Sequence, residues 1–534
     1  MWRRLYLLLL LVRVYFALSP SYIHPDEHFQ GLEAFCIGDI FGWETTRTWE
    51  FNSAKPIRSV FPLWLAYGLP MQLLYLITGD DAPSPKLVYY TLRILFLVAS
   101  FVFGKLVLSA YMRPRAGGGV AEDWAMQELV TSPRHRQTAL LLVASSYVTW
   151  AHQSHTFSNS LETIAVAWAL VLIQRIYKSK DSALLASALL GCVSVFGVFN
   201  RITFPGFIFL PVLRLVPHYM KHPYGFIVIG SFAFLIAFIG IYLDTAFYHP
   251  PTILRPSFLS LDVSSKVITP LNNLIYNSNT SNLALHGLHP RYTHFLINLP
   301  QLLGPATLTA LVSSRFTLPM LSAISGTVVL SVFQHQEARF LMPCVPLILS
   351  SMQLPRARGM RNIWITVWII FNVALGLLMG VYHQGGVVPV QNYIAEHLGN
   401  ATSVVWWKTY SPPTWLLGEM NERCSTEDLM GAKRSVVDEK LEQEKGVCGV
   451  ELKGSGSKET YLVAPLAMNV EKDVDGGKQL YKLQKVWVYR SHLGFDDLDF
   501  DFGKDGVFGA VIKVWDSRGL GIWRVVDESC NLKT

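Results

Sequence analysis

In residues 5–33, LYLLLLLVRVYFALSPSYIHPDEHFQGLE, ionisable side chains follow directly after an apolar run. A basic start followed by an apolar core is typical of a cleaved signal peptide or of a retained membrane helix. We favour a retained helix, because small residues of the A-x-A type are missing and long apolar runs follow through much of the chain. His24, Asp26 and Glu27 then form either a solvated loop or a carboxylate site at the membrane face.

The composition is that of a membrane protein. Of the 534 residues, 51% are hydrophobic and 16% are charged, whereas soluble proteins carry about 25% charged residues. The formal charge of +7 is not gathered into a compact basic cluster, which argues against nucleic-acid binding. No CxxC pair, Walker loop or strand–GxGxxG–helix unit occurs, so neither a zinc site of that kind nor nucleotide-driven transport has support. The sequence therefore predicts an α-helical polytopic membrane protein.

One apolar segment is expected not to cross the membrane. Pro62, Gly68 and Pro70 interrupt the run at residues 60–78, so we expect this segment to lie in the membrane interface. The arginines of the loop at residues 112–137 then remain in the cytosol, where basic loops are usually found.

Basic residues predict the direction of the remaining segments. Arg3 and Arg4 place the N-terminus in the cytosol, and residues 24–28 then lie on the far side of the membrane. About eleven transmembrane helices are predicted, at the N-terminus and near residues 87–111, 139–153, 160–177, 182–199, 203–216, 224–243, 295–314, 317–334, 340–355 and 361–381. Because the number is odd, the C-terminal part is expected on the far side.

Two glycosylation sequences agree with this topology. Asn279-Thr-Ser and Asn400-Ala-Thr are N-glycosylation acceptor sequences, and both fall on the predicted far side, which is the lumen in a eukaryotic cell. We therefore predict a transmembrane domain at residues 1–383, with a large first lumenal loop at residues 19–86, and a lumenal C-terminal domain at residues 384–534.

The C-terminal segment has a different composition from the rest. ETYLVAPLAM (459–468), QLYKLQKVWVYRSHL (479–493) and GVFGAVIKVW (506–515) are predicted strands of a small α+β domain. Cys424 and Cys448 can pair in an oxidising lumen or remain reduced.

Polar residues collect on the predicted far side in four stretches, at residues 24–27, 154–162, 200–205 and 333–343. Ionisable residues at a membrane are usually functional, although hairpin tips tolerate them. Asp26 is either the N-cap of a helix through EHFQGLEAF or a general base beside a reactive carbon. Glu27 is the second choice for the base.

The stretch FQHQEARFLMP also allows two interpretations. Glu337 can pair with Arg339 in a structural network, or Arg339 can bind a phosphate, with His335 as a second donor. Arg201 is a similar candidate for binding phosphate. His152 and His155 are too few to indicate a metal site, so we predict none.

Three motifs resemble those of glycosyltransferase family 22, the eukaryotic mannosyltransferases that use dolichyl-phosphate mannose. The motifs are HPDEHFQGLE, TFSNSLE and HQEARFLMPCVP. In the third, Gln336 stands where the family has Lys and Ala338 stands where it has one of two Glu residues. Within the family, TWEFNSAKPIRS (48–59), the residues 277–305 and WWKTYSPPTWLLG (406–418) are most similar to enzymes that add the fourth, side-branch mannose to the GPI precursor.

The resemblance implies a GT-C fold and an inverting transfer in an α1,2 linkage to the third mannose of the glycan. It implies dolichyl-phosphate mannose as donor, a trimannosyl GPI lipid precursor as acceptor, and no separate cofactor. The enzyme would lie in the endoplasmic reticulum membrane, in contact with its lipids, with the active site in the lumen. The number of subunits is left open.

The chemistry that the resemblance implies suggests roles for particular residues. Asp26 would deprotonate the acceptor hydroxyl, and Arg339, His335 and Arg201 would neutralise the departing dolichyl phosphate. His289 and Arg291, on the long lumenal loop, would contact the acceptor glycan.

Two alternatives remain open. One is a related enzyme that adds the third GPI mannose or extends the dolichol-linked oligosaccharide. The other is a polytopic transporter or lipid scramblase, which the lack of an internal repeat and the one-sided clustering of acidic residues disfavour.

Overall fold

The computed structural model describes residues 2–33, 38–79, 82–109, 128–130, 132–249, 266–444, 459–471, 481–494, 509 and 511–527. Most of these residues are helical. The longer α-helices are Trp2–Leu18, Leu69–Thr78, Pro85–Ser109, Pro133–Ala144, Ser158–Lys178, Leu184–Asn200, Phe204–Leu213, Pro223–Tyr248, Thr269–Ser278, Pro305–Ser313, Leu318–Leu330, Arg358–Leu377, Val387–His397 and Arg434–Glu444.

Shorter helical segments connect these. The α-helical ones are Asp26–Phe29, Gly38–Phe41, Trp49–Asn52, Val60–Leu63, Val216–Lys221, Thr280–Ala284, Leu299–Leu303 and Cys344–Ser351. The π-helical turns are Trp64–Gly68, Val148–His152, His294–Asn298 and Leu378–Tyr382. The 3₁₀ segments are Ala338–Leu341, Thr414–Glu422 and Leu466–Met468.

Among the described helices, four are long and apolar enough to cross a membrane. They are Val60–Thr78, Ser158–Lys178, Pro223–Tyr248 and Arg358–Tyr382, and a bent pair of helices would add a fifth. Shorter apolar helices fall below the ~20 residues that an untilted span needs; they are Leu184–Asn200, Phe204–Leu213 and Leu318–Leu330. The number of about eleven crossings stays a prediction.

Two predicted segments differ in the structure. Residues 60–78 form one continuous helical segment despite Pro62, Gly68 and Pro70, so the predicted interruption is wrong. A π-helical turn at Trp64–Gly68 accommodates the irregular backbone, as π-bulges do. By length and composition this segment can cross the membrane.

Within the predicted span at residues 295–314, the chain bends by 112° between His294–Leu303 and Pro305–Ser313. Gly304 sits at the bend with a φ of +52°, which favours glycine. A Cβ atom there would lie 2.6 Å from the ring of Phe371, so the close packing also requires glycine. The pair is therefore a broken span or a re-entrant loop.

A buried carboxylate joins three segments near these helices. Oδ1 of Asp244 accepts hydrogen bonds from the Ser59 hydroxyl (2.9 Å) and the Val60 amide (2.8 Å), and Oδ2 accepts one from the Thr269 hydroxyl (2.5 Å). A carboxylate at a helix N-terminus is favourable, because the first amides lack partners within the helix. Asp244 thus holds the start of the helical segment 60–78 beside the first residue of the helix Thr269–Ser278.

The chain divides into two compact units. The first unit comprises Met1–Ala17, Arg47–Pro70 and Leu92–Leu375, and the second comprises Leu18–Thr46, Met71–Thr91 and Gly376–Thr534. The second unit therefore combines part of the loop after the first helix with the C-terminal segment. The domain boundary between residues 383 and 384 stays a prediction.

The second unit contains a five-stranded mixed sheet. Its strands are β1 (Ala401–Trp406), β2 (Ser425–Asp428), β3 (Glu459–Pro465), β4 (Tyr481–Tyr489) and β5 (Leu520–Asp527), in the order β2-β1-β3-β5-β4. β1 runs parallel to β2 and β3, whereas β5 runs antiparallel to β3 and β4. Two of the three predicted strands are confirmed, since they contain β3 and β4.

The third predicted strand, residues 506–515, is wrong. Its described residues from 511 onward are helical, as is residue 509. Val511, Ile512 and Trp515 recur at the spacing of a helix face rather than in strict alternation, so the period of the pattern was assigned incorrectly. Cys448, the predicted partner of Cys424, lies outside the described residues.

Candidate active site

The segment with the predicted base is anchored within the second unit by Tyr22. This side chain is fully buried in a core cluster with Val404, Trp406 and Ile522 of the sheet. Its hydroxyl donates a hydrogen bond to the Ser411 carbonyl (3.0 Å). The polar residues that follow Tyr22 therefore start from a fixed point.

Asp26 and Glu27 have different surroundings, although they are adjacent. Glu27 is buried, and its Oε1 accepts a hydrogen bond from the Ile23 amide (2.7 Å), which closes the turn. The side chain of Asp26 is 17% exposed, and its Oδ1 lies 3.3 Å from His24 Nδ1. Pro25 occupies the N-cap position of the helix Asp26–Phe29, so the interpretation of Asp26 as an N-cap is wrong.

His24 contacts Asp26 through a single ring nitrogen. Nδ1 also lies 3.2 Å from the Asp26 backbone nitrogen, which can donate to it. Nδ1 can accept from this amide only when it is unprotonated and can donate to the carboxylate only when it is protonated, so the two contacts are alternatives.

Glu33 is a second buried acid in the same unit. Its Oε1 accepts hydrogen bonds from the Thr46 amide (3.2 Å) and the Thr414 hydroxyl (3.0 Å). Burial raises the pKa of Glu33 to about 8, although both hydrogen bonds favour the carboxylate. At neutral pH this side chain is therefore mainly protonated and neutral.

Glu33→Gln is expected to flatten the dependence of stability on pH. Between pH 4.5 and about 8 the native protein holds a proton on Glu33 that the unfolded chain releases. The free energy of unfolding of the wild type should therefore fall as pH rises through this window, by about 1.4 kcal/mol per pH unit from this group. Glutamine cannot ionise. Thermal unfolding of purified protein from pH 5 to 9 measures the difference, and equal slopes for both proteins would contradict the assignment.

The predicted phosphate-binding residues gather around Phe340 in the first unit. The centre of its ring lies 5.1 Å from Cζ of Arg201, 5.4 Å from Cζ of Arg339 and 5.6 Å from the centre of the His335 ring. Glu337 contacts Nε of Arg339, and its Oε1 lies 2.9 Å from His335 Nε2. We call these five residues the Phe340 cluster.

Charge within the Phe340 cluster favours a protonated His335. Burial opposes a charge on this imidazole, but the hydrogen bond and negative charge of Glu337 outweigh it and raise the pKa of His335. The Gly287 carbonyl, 3.2 Å from His335 Nδ1, acts in the same direction. Glu337 thus serves both Arg339 and His335, and both of these side chains favour an anionic partner.

Arg201 has a carboxylate partner that the sequence did not identify. Its Nε lies 3.2 Å from Oε2 of Glu162, which is fully buried, and Thr203 donates a hydrogen bond to the same carboxylate. Asn159 belongs to the same helix and donates to the Arg339 carbonyl (3.1 Å). The motif TFSNSLE therefore contributes the residues that hold both arginines in place.

The predicted acceptor residues, His289 and Arg291, contact the chain segment that contributes His335 and Glu337 to the Phe340 cluster. Nδ1 of His289 accepts a hydrogen bond from the Gln336 amide (3.4 Å), and its ring centre is 6.2 Å from that of His335. Arg291 is exposed, and its carbonyl accepts a hydrogen bond from the Gln336 side chain (3.4 Å). Gln336, which departs from the family motif, also bonds the His294 amide (2.9 Å) and so joins the two segments.

The remaining site predictions concern glycosylation and metal binding. Asn279 and Asn400 are both exposed, as glycosylation requires, and their modification stays a prediction. In the described part of the chain, no three His, Cys, Asp or Glu side chains gather in a way that could hold a metal ion. His152 and His155 are both buried.

Comparison with known proteins identifies the family. Residues 4–418 match the Alg9-like mannosyltransferase family. GPI mannosyltransferase 4 from Emericella nidulans is 46% identical over 99% of both chains. The protein of the same name from Aspergillus oryzae is 45% identical over 99% of this chain and 100% of its own.

A solved structure of ArnT from Cupriavidus metallidurans bound to undecaprenyl phosphate covers 98% of both chains at 11% identity, with a TM-score of 0.47. A TM-score of this size does not establish a shared fold. The sequence matches and the apolar helices together show that the chain is a multi-pass membrane protein and belongs to the Alg9-like mannosyltransferase family.

Proposed function

We propose that the protein is a GPI α1,2-mannosyltransferase that transfers mannose from dolichyl-phosphate mannose to the third mannose of a trimannosyl GPI lipid precursor. The observation that carries the proposal is the 46% identity, over 99% of both chains, to a GPI mannosyltransferase 4. We place the reaction at the lumenal side of the endoplasmic reticulum membrane, on a GT-C fold with about eleven crossings and a lumenal C-terminal domain.

The acceptor side of the proposed reaction uses Asp26 as general base. As the acceptor hydroxyl attacks the anomeric carbon, its proton passes to the Asp26 carboxylate. The new bond joins the acceptor oxygen to the anomeric carbon with inversion of configuration. Asp26 is preferred over Glu27 because the Glu27 carboxylate is buried and engaged with the Ile23 amide.

The donor side uses the Phe340 cluster. The bond between the anomeric carbon and the phosphate oxygen breaks, and the phosphate leaves with the electron pair. Arg339, with His335 and Arg201, neutralises this developing charge, because preorganised cations stabilise charge that forms in the transition state. Arg339 would exchange its contact with Glu337 for a contact with the departing phosphate. Its positive charge would then have an anionic partner both before and after the bond breaks.

Transfer assays with defined acceptors test the function. Purified protein in lipid nanodiscs should convert trimannosyl GPI lipid and labelled dolichyl-phosphate mannose into a tetramannosyl product, from which an α1,2-specific mannosidase releases the label. EDTA should leave the rate unchanged, since arginines replace a metal in the proposal.

Parallel assays with other acceptors separate the alternatives. Activity on a dimannosyl GPI lipid alone would indicate an enzyme for the third mannose. Activity on dolichol-linked oligosaccharide alone would indicate an oligosaccharide-extending enzyme. Either result would replace the proposed acceptor and leave the assignment to the family unchanged.

A further inference from the structure

Three aromatic rings outside the Phe340 cluster form a surface in the first unit. Trp49, Tyr276 and His286 come from three separate segments, and we call them the ring platform. The ring centres of Trp49 and Tyr276 are 4.9 Å apart, and those of Trp49 and His286 are 5.6 Å apart. Tyr276 and His286 are also joined by a 3.0 Å hydrogen bond between the Tyr276 hydroxyl and His286 Nε2.

The arrangement leaves one face of the Trp49 indole open. The ring centres of Tyr276 and His286 are 6.1 Å apart. This distance is too short for two rings that sandwich an indole between them, so both lie against the same face of Trp49. Trp49 is nevertheless 43% exposed. The face that Tyr276 and His286 do not cover is therefore available to a ligand.

Polar contacts hold Trp49 and Tyr276 at their spacing. The side-chain amides of Asn272 and Asn273, on the helix that carries Tyr276, donate hydrogen bonds to the carbonyls of Pro56 (3.0 Å) and Ile57 (3.3 Å). The Ile57 amide in turn donates to the Glu50 carbonyl (3.1 Å), next to Trp49. The platform is thus preformed, which reduces the entropy lost when a ligand binds.

The platform continues directly into the Phe340 cluster. The ring centres of His286 and His335 are 5.8 Å apart. Gly287, the next residue, places its carbonyl 3.2 Å from Nδ1 of His335. One ring, that of His286, therefore separates Trp49 from a residue proposed to act on the donor phosphate.

We propose that the ring platform binds a pyranose ring of the glycan acceptor, with the apolar C–H face of the sugar stacked on the open face of Trp49. This inference rests on the proposed function and extends it by naming the acceptor subsite. A pyranose has one apolar face and a hydroxyl-bearing edge. The platform matches the apolar face of the sugar, because the open face of the indole is apolar as well. The two residues predicted to contact the acceptor, His289 and Arg291, belong to the same loop as His286.

Trp49→Ala tests the subsite through the kinetics of each substrate. We expect the KM for trimannosyl GPI lipid to rise about tenfold, which corresponds to about 1.4 kcal/mol. The KM for dolichyl-phosphate mannose should change less than twofold. Trp49→Phe retains a ring and should remain within about threefold of the wild type. Tyr224→Ala removes an exposed ring elsewhere in the first unit and should leave both KM values unchanged.

A soluble sugar distinguishes this role from anchoring in the membrane interface, where Trp and Tyr are also common. α-Mannotriose should inhibit the wild type in competition with the acceptor, and Trp49→Ala should weaken that inhibition about tenfold. The proposal would be overturned if α-mannotriose inhibited the wild type and the variant equally and the variant gave a lower yield of folded protein on size exclusion. Trp49 would then have a lipid-facing role.

A sugar attached to the chain itself is the other possible occupant, since the sequon at Asn279 lies close to Tyr276 in sequence. In the Asn279→Gln background, Trp49→Ala should still raise the acceptor KM. Loss of the effect in that background would overturn the proposal. If the wild type transfers no mannose to trimannosyl GPI lipid, the proposed function fails. If it does, and Trp49→Ala leaves the acceptor KM unchanged, only the subsite fails.

Discussion

Asp26→Asn is expected to lower kcat for mannose transfer by about 100- to 10,000-fold, the range that a general base contributes. The substitution preserves the size of the side chain and its contact with His24, but an amide cannot accept the acceptor's proton. Folding should be retained, because the Asp26 side chain is partly exposed and the turn is closed by its neighbour Glu27. The measurement is the single-turnover rate with saturating donor and acceptor.

Glu27→Gln is the matched control for this prediction. A glutamine carbonyl can still accept the hydrogen bond of the Ile23 amide, so the turn is kept and kcat should fall less than about tenfold. The pH profile adds a second readout, since the wild type should lose activity as the base becomes protonated. Asp26→Asn with nearly full activity, or a larger loss in Glu27→Gln, would move the role of base away from Asp26.

Arg339→Ala is expected to lower kcat by about 100- to 1,000-fold, the usual loss when one donor to a developing anion is removed. In this variant, Glu337 keeps its contact with His335. Arg339→Lys should recover only part of the activity, because an ammonium group lacks the planar fork that can hold a carboxylate and a phosphate together.

Chemical rescue separates a role in catalysis from a role in folding. Guanidinium ion at millimolar concentration should restore part of the activity of Arg339→Ala and none of that of Asp26→Asn. Arg358→Ala removes an exposed guanidinium at the start of a different helix and serves as control. Full activity of Arg339→Ala without guanidinium would show that the phosphate is neutralised elsewhere.

The fold could be predicted where one local signal dominates. Alternating apolar residues predicted β3 and β4, and long apolar runs predicted the helices Ser158–Lys178 and Pro223–Tyr248 close to their observed bounds. Pro62 was misleading, because it lies near the start of the helical segment, where the missing amide proton is not needed. Pro70 was misleading because it lies just after the π-helical turn Trp64–Gly68, where the backbone is already irregular. The bend at Gly304 was missed, because a single glycine in an apolar run does not reveal which ring packs against it.

The candidate site could be predicted only in part for a related reason. Asp26, His335 and Arg339 were identified because charged residues in an apolar chain are conspicuous. Glu162 and Phe340 were overlooked as site residues, although both lie in stretches that the sequence singled out. Their roles arise from contacts between distant segments, as when Glu162 pairs with Arg201 and the Phe340 ring contacts two guanidinium groups. Such pairings depend on the tertiary fold, and local spacing does not encode them.

The carboxylate of Asp244 has a consequence for how this chain can evolve. Its Oδ1 accepts from the Ser59 hydroxyl and the Val60 amide and its Oδ2 from the Thr269 hydroxyl, so loss of the acid leaves buried donors without this acceptor. Among orthologues, Ser59, Asp244 and Thr269 should therefore be inherited or replaced together, and a lineage that has lost the acid should carry apolar residues at the other two positions.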